Sequence, residues 1–262
     1  MTEHPTVKTL GVRFYKLSVD TYLKDCSKLD GLIVISTALE KFFVDNGVPK
    51  ERIHIVNMMV DSTRFEGISK ETNIESYIAY CGTVLNEKDG VDYLMEAFSI
   101  VYRNYPHIKL YIMGSIPKVK DEMKLQKIIQ DLHLEGAVIF KGVVSTNDMP
   151  QMLANAIAVA LARPNNIQAQ YGFPTKLGEY LLSGTPTVVT GVGDIPLILT
   201  NKKDALIASP SDSKDFAQKL LWLIEHPKEA ICIAKNSRTL VNLKFNYLIE
   251  TKKWVRIVCC NS

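Results

Sequence analysis

The feature that most limits what this chain can fold into is a regular beat of short apolar runs that begins at Tyr77. Tyr77–Cys81, Lys109–Met113, Ala137–Phe140, Ile157–Leu161, Thr187–Thr190 and Ala205–Ala208 are each four or five residues long. The first three run into Gly82, Gly114 and Gly142. The segments between them carry helical periodicity. Val91, Leu94, Met95, Phe98 and Val101 share one face of a helix expected over Val91–Tyr102. Further helices are expected over Lys120–His133, Met149–Ala154, Ser213–Glu225, Lys228–Leu243 and Tyr247–Val258. Runs this short and this apolar read as strands buried on both faces, which is the signature of a parallel sheet with crossover helices. Right-handed crossovers make the region from Tyr77 to Glu225 an α/β, doubly wound, Rossmann-like domain. In such sheets ligands bind beyond the carboxyl ends of the strands, where Gly82, Gly114, Gly142 and the loop after Leu161 would share one edge.

Ahead of Tyr77 the pattern is weaker. A helix is admitted over Leu17–Cys26, followed by a strand at Leu32–Ile35, a helix at Ala38–Asn46 closed by Gly47, and a strand at Arg52–Asn57. Met58–Phe65 reads as a loop, and residues 66–76 as a polar linker.

Composition narrows the function classes. The 262 residues carry 31 Lys+Arg against 28 Asp+Glu, a net charge of +3 that is too mild to argue for nucleic acid. No apolar run approaches the roughly 20 residues that span a bilayer, and the N-terminus lacks the apolar core of a signal peptide. Five cysteines with no CxxC pair read as reduced thiols of a cytoplasmic protein. The five histidines are scattered without ligand spacing, so the reading contains no metal.

The chemistry concentrates between Arg163 and Ile198. A polar loop, a Gly-Phe-Pro-Thr-Lys turn at Gly172–Lys176, a helix carrying Glu179, a strand, and a second glycine turn at Gly191–Gly193 follow one another. Two loop-to-helix junctions favour an anion through their N–H groups and dipoles. A nearby carboxylate suits neighbouring hydroxyls, and phosphate beside hydroxyls describes a nucleotide. Glu179 then accepts from a ribose and Lys176 pairs with a phosphate; the bland alternative is a solvent-facing Lys176–Glu179 pair worth about 0.5 kcal/mol or less. Gly191 and Gly193 would permit close backbone approach, with Asp194 at an N-cap. Lys88 follows a strand and could reach a diphosphate or simply be solvated. Val143 and Val144 suit either the floor of a nucleobase site or core packing. Arg163 suits either phosphate contact or a surface role.

Three blocks carry a resemblance: DGLIVISTALEKFFVDNGVPKERIHIVNMMVD, IAYCGTVLNEKDGVDYLMEAF and FPTKLGEYLLSGTPTVVTGVGDIPLIL. They resemble the retaining glycosyltransferases of the two-domain B-type fold, in the group-1 (family 4) family. The resemblance implies a nucleoside diphosphate sugar as donor, UDP- or GDP-linked, and no further cofactor. It implies a glycan or lipid-linked acceptor in cell-surface polysaccharide assembly, at the inner membrane face. Glu179 matches the second glutamate of the family's Glu-seven-residues-Glu motif, which binds ribose. The first glutamate, which contacts the donor sugar, falls at Tyr171. The family's phosphate-binding arginine falls at Thr83 beside Gly82, and its lysine at Asp89, one residue after Lys88. Lys176 and Arg163 are the available substitutes, with the Phe173, Pro174, Thr175 and Leu177 turn around the diphosphate. Lys176 and Lys88 are then the catalytic cations.

The resemblance also implies a division into 1–70, a remnant of an acceptor domain and crossover; 71–245, the nucleotide-sugar domain; and 246–262, a helix bracing the other domain through an exposed Trp254 and Val255. A complete N-terminal domain has no room here, so the chain is expected to be a truncated product or one half of a split enzyme. The alternative is a catalytically incomplete nucleotide-sugar-binding subunit that needs a partner chain. A nucleotide-sugar epimerase shares the fold, but the acid and base residues that it needs from two domains are not found.

Overall fold

The computed structural model describes residues 19–84 and 86–259. The N-terminal stretch read for a signal peptide, and the first two residues of the helix admitted at Leu17–Cys26, lie outside the described residues. Residues 19–26 are helical (α1). β1 (Leu32–Val34), α2 (Thr37–Asp45) and β2 (Ile53–Ile55) follow. β1 and β2 pair in parallel as a two-stranded sheet. Leu23, Cys26, Val34, Phe43, Val48 and Ile53 form a small core of their own around it.

The second core is built on a six-stranded sheet. Its strands are β3 (Tyr77–Cys81), β4 (Lys109–Met113), β5 (Val138–Gly142), β6 (Ala158–Leu161), β7 (Thr187–Thr190) and β8 (Leu206–Ala208). Every apolar run picked from the sequence is one of these strands. Their order is β5-β4-β3-β6-β7-β8, and all pairs are parallel. The order reverses between β3 and β6, which is where a crevice opens in a sheet of this type. β3, β6 and β7 are buried almost throughout because helices cover both faces.

The helices are α3 (Asn86–Asp89), α4 (Val91–Asn104), α5 (Val119–Asp131), α6 (Met149–Asn155), α7 (Ile167–Tyr171), α8 (Lys176–Leu182), α9 (Ile195–Ile198), α10 (Ser213–Glu225), α11 (Pro227–Lys244) and α12 (Tyr247–Cys259). α3 and α7 were not anticipated. Each is four or five residues long, too short for a hydrophobic period to register. α7 is instead announced by its cap, because the Asn166 side chain accepts from Ala169 N at 2.8 Å. The apolar face read on α4 is buried at Val91, Leu94, Met95, Phe98 and Val101, and α4 packs on α10.

Met58–Phe65 is more ordered than a loop. Val60 N donates to Phe245 O at 2.9 Å, and Tyr247 N donates to Val60 O at 3.0 Å. These bonds clamp the crossover between α11 and α12, and Ser62–Phe65 closes it as a 3-10 turn. On α12, Val255 is exposed but Trp254 is half-buried, so only part of the expected apolar face is open. No helix of the described residues is long and apolar enough to cross a membrane.

The small N-terminal unit is joined to the large one through Asp194. This buried carboxylate takes Thr37 N at 2.8 Å, Thr37 Oγ1 at 2.6 Å and Asn57 Nδ2 at 3.2 Å. Asp194 therefore caps α2 from across the molecule; it makes no side-chain cap on α9, the helix it precedes. Ser36 adds a bond of 2.5 Å from its hydroxyl to the Tyr171 carbonyl. Asp194→Ala removes the acceptor of all three bonds, from Thr37 N, Thr37 Oγ1 and Asn57 Nδ2, and as the loss of a helix cap is expected to cost about 1–2 kcal/mol. Urea unfolding measures the loss, and faster amide exchange confined to the first turn of α2 locates it.

Candidate functional site

The three glycine ends form a staircase along the carboxyl edge of the sheet. Gly82 N donates to Met113 O at 2.9 Å and Gly114 N to Gly142 O at 2.7 Å. A Cβ on Gly114 would lie 1.9 Å from the Gly82 carbonyl, so the backbones meet with no side chain between them. Gly82 itself has φ +152°. A Cβ there would lie 1.9 Å from Lys176 Nζ. The glycine thus makes room for a cation at the switch point between β3 and β6.

Lys176 reaches that position from the start of α8. Its amine is 2.5 Å from Asp89 Oδ2 and 3.3 Å from the Tyr80 hydroxyl. The Tyr80 hydroxyl is 2.8 Å from the same carboxylate oxygen and 3.0 Å from Thr83 O. With one proton to give, it donates to the carboxylate, the stronger acceptor, and accepts from the lysine. Burial lowers the Lys176 amine below the usual lysine range, and the Asp89 carboxylate pulls it back up. Burial and the same carboxylate drive the Tyr80 phenol far above its ordinary value.

Arg163 is buried rather than on the surface. Its Nε is 3.4 Å from Lys88 O and its Nη2 3.4 Å from Gln168 O, while Nη1 is buried with no partner among the described residues. Burial lowers its pKa and Asp89 raises it. Lys88 offers its carbonyl to this guanidinium and leaves its side chain exposed, close enough to depress the Lys176 amine.

Glu179, three residues along α8, does not pair with Lys176. It is ion-paired with Arg64 of the crossover, which also donates to Thr146 O at 2.8 Å. α8 is fixed to the sheet by Tyr180, whose buried hydroxyl donates to Cys81 O and accepts from Cys81 N, both at 2.7 Å. Cys81 lies past the last β3 residue that pairs with β6, so the phenol completes the ladder there. The Cys81 thiol is pushed up to about 11 by burial, with Lys176 opposing and Glu179 and Asp89 adding to the rise. Lys176, Glu179 and Asp89 therefore share one neighbourhood.

The remaining expected residues scatter. Thr83 is exposed, and its carbonyl faces Tyr80. Phe173, Pro174 and Leu177 are buried and Thr175 is exposed without a side-chain cap, so this turn presents backbone. The Tyr171 ring lies edge-on to Phe42 of α2 at 6.3 Å, against the small N-terminal unit. Val143 is 79% exposed after the last glycine end, which removes the core-packing alternative for it. The second glycine turn is not a ligand surface. A Cβ on Gly193 would meet the carbonyls of Ala169 and Gln170 at 2.9 and 3.1 Å, so the close approach there is to the protein's own chain. Asp194 is committed to Thr37, α8 and α9 are seven and four residues long, and the cationic side chains at this edge are those of Lys176 and Arg163.

The profile of the family "Glycosyl transferases group 1" matches residues 75–226, more than half of the chain. The chain belongs to that family. The chain is 26% identical over 213 residues to the mannosylfructose-phosphate synthase of Agrobacterium fabrum, covering 75% of this chain and 46% of that protein. It is 24% identical over 246 residues to the poly(ribitol-phosphate) alpha-N-acetylglucosaminyltransferase of Staphylococcus aureus, covering 93% and 46%. It thus spans about half the length of the curated relatives it matches. Among solved structures, HepE of Anabaena in complex with UDP-glucose superposes with a TM-score of 0.78 at 18% identity, over 91% of this chain and 67% of HepE. That likeness carries the fold: one Rossmann-like half of a B-type transferase.

Asp89, Tyr80, Tyr180 and Arg64 were missed by sequence reading as site residues. Asp89 alone left a signal, a carboxylate at a position where the family resemblance calls for lysine.

Because burial pushes its thiol up to about 11, Cys81 is expected to resist alkylation at pH 7.5 while exposed Cys232 is labelled. Its rate should still climb about tenfold per pH unit between pH 8 and 10. Lys176→Met removes the charge that favours the thiolate and should slow labelling further. Peptide mass spectrometry reads both, and fast labelling of Cys81 at pH 7.5 contradicts the burial described.

Proposed function

We propose that this chain is the donor half of a retaining glycosyltransferase. It moves a sugar from a UDP- or GDP-sugar to a glycan or lipid-linked acceptor in cell-surface polysaccharide assembly. The observation that carries this reading is the Lys176 amine held against Gly82 at the switch point, together with an Arg163 amino group that is buried and has no partner among the described residues. Two desolvated cations at the carboxyl edge of a parallel sheet suit a diphosphate.

In the reaction, the bond between the anomeric carbon and the diphosphate oxygen breaks, and its electron pair leaves with the diphosphate. The acceptor hydroxyl oxygen bonds to that carbon, and its proton passes to the departing diphosphate oxygen. Lys176, with Lys88 at the rim, neutralises the charge that develops on the leaving group. Arg163 adds to that field from below. Glu179 accepts from the ribose hydroxyls and exchanges part of its bond to Arg64 to do so. Gly82 and Thr83 border the phosphates, the Phe173–Leu177 turn lines them with backbone, and Val143 offers an apolar contact to the base. The acceptor comes from a second domain or chain, and the reaction takes place in the cytoplasm at the inner membrane face.

The relatives support the class: one is described as a colanic acid biosynthesis glycosyltransferase of Escherichia coli, 25% identical over 209 residues. A second reading, a nucleotide-sugar-binding subunit without its own catalysis, is favoured by Tyr171, which stands where the sugar-binding carboxylate is expected and packs on Phe42 instead.

Calorimetric titration with UDP and GDP tests the nucleotide assignment. Glu179→Ala should weaken the preferred nucleotide roughly ten- to hundredfold, the range for hydrogen bonds to a charged group. Equal affinity in wild type and variant sinks the ribose role. Efficient sugar transfer by this chain with no added partner sinks the claim that the acceptor half comes from elsewhere.

A further inference from the structure

We propose that Asp89 is the positioning residue for Lys176. It holds the amine over Gly82, so that the cation for the donor phosphates is delivered from α8 rather than from the loop after β3. The inference rests on the nucleotide-sugar reading above and deepens it.

Four observations converge on this carboxylate. Asp89 is 1% exposed, yet it is charged-residue chemistry in a core position. Such burial requires a partner, and Lys176 Nζ at 2.5 Å supplies it from 87 residues away. Tyr80, itself fully buried, fixes the same oxygen at 2.8 Å. The carboxylate is thus anchored by β3 on one side and by α3 on its own. The amine is confined as well: it lies 5.0 Å from the Tyr80 ring centroid and against the bare Cα of Gly82. A four-bond side chain starting on α8 has many other places to go, and this set of contacts selects one.

Charge count gives the pocket its preference. The Asp89 carboxylate faces the Lys176 amine and also bears on the Arg163 guanidinium. One carboxylate cannot satisfy two cations, and Arg163 Nη1 has no partner among the described residues. The Lys176 amine places positive charge against Gly82 at this edge. A diphosphate suits it better than a monophosphate, and an uncharged nucleoside gains nothing from it. Asp89 and Lys176 form an exchanged pair. The acid occupies the loop position where the family resemblance calls for a lysine, and the lysine arrives from the opposite side of the switch point.

The pH behaviour follows from the groups around the amine. Asp89, Tyr80, Cys81 and Lys88 face Lys176, and Arg163 faces Asp89. Asp89 raises the lysine pKa against burial, so removing it lowers that pKa. A lysine with a lower pKa loses its charge at a lower pH. Attraction for a diphosphate then fades at a pH where the wild type still holds it.

The test titrates UDP, UMP and uridine, and the guanosine series in parallel, into wild type, Asp89→Asn and Lys176→Met at pH 7 and pH 9. The wild type is expected to prefer the diphosphate. Asp89→Asn should lose at least tenfold of that preference, lose more at pH 9 than at pH 7, and bind the nucleoside as before. An unchanged preference at both pH values overturns the proposal. So does an equal loss for nucleoside and diphosphate, which marks a merely structural role. A wild type that binds no nucleotide at all overturns the nucleotide reading itself, and this inference with it. If circular dichroism shows that Asp89→Asn does not fold, the exchanged variant Asp89→Lys/Lys176→Asp decides. A preference within tenfold of wild type supports the pairing, and one no better than that of Lys176→Met overturns it.

Discussion

A buried carboxylate organises the carboxyl edge of this sheet. Asp89 takes contacts from Lys176 and Tyr80 on one oxygen and bears on Arg163. Removing a group of this kind leaves cations buried without compensation, which costs more than any single contact suggests. The glycines around it are consequences of the same demand. Gly82 has no side chain because the lysine amine fills the space that one would need, and Gly114 has none because the Gly82 carbonyl does.

The fold was legible because its signal is local and repeated. Each strand is a short apolar run, and each is apolar throughout because both of its faces are covered. α4 was legible for the same reason, through the spacing of Val91, Leu94, Met95, Phe98 and Val101. α3 and α7 were not, since four or five residues hold little more than one turn of pattern. The clamp of Val60 between Phe245 and Tyr247 could not be read either, because backbone hydrogen bonds leave no trace in side-chain chemistry.

The site was legible in its parts and not in its pairings. Lys176, Glu179, Gly82 and Arg163 were picked as residues, and all four lie at the edge where strands β3 and β6 part. Their partners were not foreseeable. Lys176 and Glu179 are helical neighbours that look made for each other, yet each is claimed by a residue from a distant segment: Asp89 in one case and Arg64 in the other. Asp194 shows the same limit. Its position before Pro196 reads as a local cap, and its carboxylate instead serves the first turn of α2. Sequence spacing predicts which residues can touch within an element, and burial decides which of them do.

The bond pair between Tyr180 and Cys81 has a mechanical meaning. A seven-residue helix has few contacts with which to resist sliding or rolling on a sheet. Here a phenol on that helix stands in for a missing strand, donating to and accepting from one backbone residue. Translation along the strand would break both bonds, and rotation would carry the ring out of its slot. Lys176 and Glu179 ride on the same short rod, four residues and one residue from that pin. Their separation from Gly82 is therefore set by the register of a β-strand, the stiffest ruler that the molecule contains.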